Sequence, residues 1–144
     1  MPTPPTLEDA QKVLTAQPFS RLLGTQLVEF ADGDAELRLA IRDDLRQQFG
    51  FVHGGVLAYL VDNAVTFAAG TVLGPAVLTG GFTVNHLAPA QGIELRARAS
   101  VAHATRRQAV CRCDVVAINE DGEETLCATG QGTVVTRGSD VPAS

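Results

Sequence analysis

The chain has little of what would place it in several large classes of protein. Only three of its 144 residues are cysteines, Cys111, Cys113 and Cys127. An odd number without a small-domain pattern excludes a disulfide framework. No further cysteine or histidine stands at zinc-like spacing from the Cys111-x-Cys113 pair, so buried, reduced thiols are expected and no metal site. There is no run of basic residues, and the formal net charge is −5. Nothing is available to neutralise a row of phosphates, which argues against a nucleic-acid partner. A local cluster of arginines could still meet an anionic small ligand. The leading segment MPTPPTLEDAQ has neither the basic start nor the apolar core of a secretory leader, and a cytoplasmic setting is expected. The only stretch apolar enough for a membrane span, Val56 to Leu78, is interrupted by Asp62, Asn63 and the Gly74-Pro75 break. It reads as a buried core helix, with no membrane partner. Repeats and low-complexity linkers are also missing. The length fits a single domain over 1–144, with residues 1–5 and 138–144 expected to be disordered.

What is present alternates between helix and strand signals. Thr6 can cap a helix whose first turn holds Glu8 and Asp9, and Pro18 should stop it. The segment TQLVEFADGDAELRLAI predicts two strands about Asp32-Gly33-Asp34. Leu37, Leu39 and Ile41 alternate with Glu36, Arg38 and Ala40, as on a half-buried sheet. RDDLRQQFGFVHGG reads as a loop, followed by a helix over Gly55 to Leu73 that is apolar nearly all round and must be covered on most sides. A strand over Ala76 to Leu87 closes at Pro89. In IELRARASVAHA, Ile93, Leu95, Ala97, Ala99 and Val101 share one face, leaving Arg96 and Arg98 on a solvated one. A long hairpin follows, turning at Asn119 to Glu123. Gly130 and Gly132 on one strand face predict close approach by another backbone or by a packed helix. The sum is an α+β fold with one antiparallel sheet wrapped around one long central helix.

The chemistry concentrates in FGFVHGGVLAYLVDNAVTFAAG, Phe49 to Gly70. Asp62 puts a charge inside an apolar helix, which is costly unless the carboxylate is paired or used. Gly54 and Gly55 leave the first amides of the helix uncovered, a ready site for an oxyanion. Thr66 lies one turn beyond Asp62 on the same face. A carboxylate, a hydroxyl and helix-end amides suit attack on a carbonyl. Yet eight residues separate Gly54 from Asp62, about 12 Å along the axis, and both groups must lie about 3 Å from one reacting centre. They cannot meet within one chain. Either Asp62 is structural, or two copies with antiparallel helices share the site.

The pattern G-x-x-H-G-G-V-L-x-x-L-x-D from Gly50 to Asp62, with GGFTVNHLAPAQG from Gly80 to Gly92, resembles the hot-dog-fold acyl-CoA thioesterases. The nearest branch is the PaaI-type (phenylacetate-pathway) and 4-hydroxybenzoyl-CoA thioesterases, and the likeness spans Phe19 to Thr136. This resemblance implies hydrolysis of an aryl or aryl-acetyl CoA thioester to a carboxylic acid and CoA, with no cofactor, since CoA is part of the substrate. It implies Asp62 as nucleophile or general base, Gly54 N–H as oxyanion donor from the partner subunit, Thr66 as the hydroxyl beside the acid, and Gln47 as an amide holding the thioester or the water. It also implies a homodimer that forms each site, with the whole assembly either that dimer or a homotetramer. His53, Gly55 and Asn63 fall beside these as substrate-binding candidates, although His53, just before the helix, is first read as fixing the loop. Arg106 and Arg107 are candidates for the nucleotide phosphates. Ala88 stands where relatives often carry arginine, which removes one expected ligand contact. His86 and His103, isolated in strands, are expected to take no part. Two other readings stay open: a non-catalytic acyl-CoA sensor, and a hot-dog dehydratase or hydratase, which would need a catalytic histidine such as His53.

Overall fold

The structure is a computed structural model describing residues 5–137. All of the termini expected to be disordered lie outside the described residues except Pro5, which is half-buried. Helix α1, Leu7–Ala16, starts as its sequence demands: Asp9 N donates to Thr6 Oγ1 at 3.1 Å and Thr6 N donates to Asp9 Oδ2 at 3.0 Å. That reciprocal pair satisfies two otherwise orphaned donors. Pro18 ends α1 but also opens a short second helix, α2, Pro18–Leu23. At the first helical position its missing N–H costs nothing, so the residue read as a stop is also a start.

Strands β1, Gln26–Ala31, and β2, Asp34–Ala40, are joined by Asp32 and Gly33, with φ of 53° and 90°. Two successive positive φ values make the hairpin turn whose twist matches its strands. A single 3-10 turn at Asp43–Leu45 leads into the loop before α3, Gly54–Leu73. Then come β3, Val77–His86, β4, Glu94–Ala104, β5, Gln108–Ile118, and β6, Glu124–Thr136. All strand pairs are antiparallel, in the order β1-β2-β4-β5-β6-β3. The sheet wraps α3, as expected, and ten residues of that helix are buried.

Gly130 and Gly132 of β6 lie under α3. A Cβ on Gly130 would stand 2.7 Å from Val61 Cγ1 and 2.6 Å from Thr83 O; one on Gly132 would stand 2.9 Å from Val65 Cγ2. Both predicted causes of close approach, helix and neighbouring backbone, therefore act together. Cys111, Cys113 and Cys127 are buried and unpaired. Burial pushes the Cys111 thiol up to about 11 and Cys113 up to about 12, so neither is poised to react.

Two expectations are corrected. Ile93 precedes β4 and is half exposed rather than part of the buried face. Arg98 is no freely solvated side chain: its Nε donates to Glu36 at 2.9 Å, and its terminal nitrogens donate to Glu124 at 2.8 and 3.1 Å. Glu36 also accepts from Arg38 Nε at 2.7 Å and is only 7% exposed. It lies on the outer sheet face, where the two arginines close over it.

The edges of the sheet differ. Along β1 lies α1, with Gln11 Nε2 donating to Leu27 O at 2.9 Å. Strand β3, ten residues long, has no strand beyond it among the described residues, and Leu78 and Phe82 are exposed along it. A long open edge of this kind is a template for pairing with another chain.

Candidate active site

Half-buried positions in the middle of α3 form two adjacent stripes, one with Ala58, Asp62 and Thr66 and one with Tyr59 and Asn63. The second stripe is covered by α2. Ser20 Oγ and Tyr59 Oη share a hydrogen bond of 2.6 Å, Tyr59 donates to Thr25 Oγ1 at 2.9 Å, and Asn63 Nδ2 reaches Tyr59 Oη at 3.2 Å and Gln17 Oε1 at 3.3 Å. Asn63, expected to bind substrate, places its Nδ2 in this polar cluster. The reason is angular: one residue along a helix turns it about 100° away from Asp62.

The first stripe faces β3. Thr79 Oγ1 donates to Asp62 Oδ1 at 2.6 Å. Thr66 Oγ1 bonds back to the Asp62 carbonyl at 2.8 Å and lies 2.9 Å from Thr79 Oγ1. Thr66 therefore reaches the carboxylate only through Thr79, a residue absent from the sequence-based expectations. A bulge between Thr79 and Gly81 interrupts the β3–β6 register at this point. Bulges re-aim side chains, and the Gly80-Gly81 pair after a strand threonine was the signal available for it.

A second group gathers at the start of α3. His53 is the N-cap, its Nδ1 accepting from Gly55 N at 2.8 Å. The imidazole folds so closely over Gly55 that a Cβ there would stand 3.0 Å from Nδ1. That is the loop-fixing role, and it uses the Gly55 amide. The Gly54 N–H has no acceptor among the described residues. Gln47 holds its own loop, Oε1 accepting from Phe49 N at 2.5 Å, with its amide nitrogen uncommitted. His86, expected to take no part, stands at this same mouth: a Cβ on Gly54 would lie 3.3 Å from His86 Cε1. The end of β3 carries it there. Arg106 and Arg107 sit in the β4–β5 turn, exposed and without an ion pair among the described residues.

The structure thus places two candidate half-sites on one helix, Asp62 with Thr79 and Thr66, and Gly54 with His53, Gln47 and His86. Their separation along α3 is about 12 Å. A cavity of about 570 Å³ lies elsewhere, on the outer sheet face. Its Arg98 is taken by Glu36 and Glu124, and its Asp114 accepts from Thr129 at 2.7 Å. Among the described residues no cluster of His, Cys, Asp and Glu is suited to hold a metal.

A long central helix wrapped by a six-stranded antiparallel sheet defines the hot-dog fold. The family model of the Thioesterase superfamily matches residues 49–125, which span α3 and every residue of the two groups except Gln47. The chain belongs to that superfamily and is a thioester hydrolase. It is similar to a 1,4-dihydroxy-2-naphthoyl-CoA hydrolase of Listeria monocytogenes, 28% identical over 107 residues, covering 73% of this chain and 85% of that protein. A thioesterase family protein from Silicibacter pomeroyi superposes with a TM-score of 0.78 at 32% identity, covering 86% of this chain and 92% of its own. A mutant of the phenylacetic acid degradation protein PaaI from Thermus thermophilus does so with a TM-score of 0.73 at 30% identity, over 83% and 99%.

Proposed function

We propose that the protein hydrolyses an aryl or aryl-acetyl CoA thioester to the carboxylic acid and free CoA, at sites shared between two subunits. The observation that carries this reading is the pairing of Asp62 with Thr79, set apart from the uncommitted Gly54 amide. Asp62 attacks the thioester carbonyl or takes a proton from the water that does, while Thr79 steadies the carboxylate. The Gly54 N–H of the partner subunit meets the developing oxyanion. The C–S bond breaks, CoA thiolate leaves and takes up a proton, and water supplies the acid's new oxygen. Thiolate is a good leaving group, so no strong separate acid is needed.

The open β3 edge supports the assembly. Antiparallel self-pairing of β3 centred on Thr83, with the Thr79–Gly81 bulge taking up one residue, would bring Thr79 near His86 of the second copy. The two helices, related by the same axis, would bring Asp62 of one beside Gly54 of the other. Both half-sites meet by one symmetry operation. The names of the Listeria and Thermus relatives favour an aryl or aryl-acetyl group. The dehydratase alternative is disfavoured, because His53 Nδ1 is used as the helix cap.

The test is thiol release from aryl-, aryl-acetyl- and straight-chain acyl-CoAs by wild type and by Asp62→Asn. Turnover that drops in the variant by about 10²–10⁴, with fold and assembly intact, supports the reading. Tight binding of CoA esters with no thiol release would make the protein an acyl-CoA sensor instead.

A further inference from the structure

We infer that the acyl group lies in the apolar cleft between α1 and the C-terminal half of α3, and that Gly70 sets the depth of that cleft. The inference rests on Asp62 acting as the catalytic carboxylate. The cleft has a volume of about 490 Å³ and begins at Thr66, which touches Thr79, which in turn touches Asp62. Its walls are Ala10 and Val13 of α1, Phe30 of β1, Phe67 and Gly70 of α3, and Val77 of β3. Phe30 and Phe67 meet edge to face, with ring centroids 6.3 Å apart, an arrangement that offers both ring faces and edges to an apolar guest.

From Thr66 the cleft follows α3 to Gly74, eight residues or about 12 Å. That length exceeds one ring and suits an aryl-acyl or medium-length straight chain. Charge is not provided for. Among the described residues no arginine or lysine lines the cleft, its acid Asp9 is engaged in the α1 capping box, and Gln17 accepts from Ser20 at 2.6 Å and from Asn63. A charged tail such as that of a dicarboxylic acyl group would be desolvated there without a partner.

Gly70 is a glycine in the interior of a helix, where it weakens the helix relative to alanine. A Cβ at this position would be 3.8 Å from Phe30 Cε2, ordinary contact. Alanine therefore fits, whereas a longer side chain must project into the cleft. Val13, on the opposite wall, is half exposed, so enlarging it narrows the cleft without disturbing the core.

The experiment measures kcat/KM by thiol release from acetyl-, octanoyl-, phenylacetyl- and succinyl-CoA, for wild type, Gly70→Leu and Val13→Trp. Each methylene denied burial costs about fourfold. Loss of two or three from the cleft should then lower kcat/KM for octanoyl-CoA roughly 15- to 60-fold, with acetyl-CoA changed less than about twofold and succinyl-CoA poor throughout. Equal losses on acetyl- and octanoyl-CoA in both variants, no change in either variant, or succinyl-CoA turned over as well as octanoyl-CoA would overturn the assignment. Failure of wild type to release thiol from any ester would be a different result, since it removes the acyl-CoA hydrolase reading itself.

Discussion

If each site takes Asp62 from one subunit and Gly54 from the other, two inactive variants should restore activity when mixed. Asp62→Asn removes the attacking carboxylate but leaves the amide. Gly54→Pro removes the amide hydrogen and little else: it is the first residue of α3, where proline is well tolerated, and His53 has φ −58° and ψ 134°, a backbone that tolerates a following proline. The added Cβ would press His86 Cε1 at 3.3 Å, which the imidazole relieves by shifting a few tenths of an ångström. Loss of one oxyanion donor lowers kcat by about 10²–10³, so both parents should be nearly silent. Random re-pairing of equal amounts makes half of the dimers mixed, and each mixed dimer has one intact site and one doubly damaged site. The mixture should recover about a quarter of wild-type turnover. The assay is thiol release after subunit exchange, with exchange verified by native mass spectrometry of differently tagged chains. A mixture of proven heterodimers no more active than its parents would refute the shared site, because about 12 Å of helix then could not separate the two groups functionally.

Thr79→Val should lower kcat about 10- to 100-fold with KM little changed, since a hydrogen bond to a charged group is worth ~1.5–3 kcal/mol; Thr66→Val should cost less, and a larger effect at Thr66 than at Thr79 in the same thiol-release assay would contradict the geometry. Gly130→Ala should destabilise the fold by ~1–3 kcal/mol through overpacking against Val61 and Thr83, and a thermal melt equal to wild type would count against that contact. Burial pushes the Glu36 carboxyl up, but the hydrogen bonds from Arg38 and Arg98 outweigh it and hold the group below its ordinary range. Its folded form thus favours the ionised state, so its stabilisation is present above about pH 4.3 and is lost as pH falls through the lower folded value. Glu36→Gln should cost ~1–3 kcal/mol at pH 7 and flatten the acid limb of stability against pH; an acid limb identical to wild type would show that the carboxylate carries none of it.

Local chemistry was legible in the sequence wherever neighbours in the chain decide the outcome. Asp32-Gly33 could only be a tight turn, Thr6 and Asp9 only a cap, and an all-apolar helix could only lie inside a sheet. The distance between Gly54 and Asp62 was arithmetic on helix rise. Thr79 was not legible, because a threonine in a strand is ordinary until tertiary packing lays that strand beside Asp62 and a bulge turns the hydroxyl toward it. The nearness of His86 to Gly54 was hidden for the same reason: thirty-two residues separate them, and only the path of β3 joins them. Asn63 turns toward α2 rather than beside Asp62, because one residue along a helix is about 100° of rotation. Arg98 was read from alternation alone, which places it on the outer face correctly but says nothing of Glu36 beneath it.

The order of elements along the chain has a consequence for how the molecule is made. When synthesis reaches Leu73, the most apolar segment is complete, but only β1 and β2 of its enclosure have been made. The four strands that finish the wrap are all still to come. The glycines that let β6 settle against Val61 and Val65 arrive nearly last, at positions 130 and 132. The core therefore closes from its C-terminal end, and the growing chain carries a bare greasy rod for more than a third of its length.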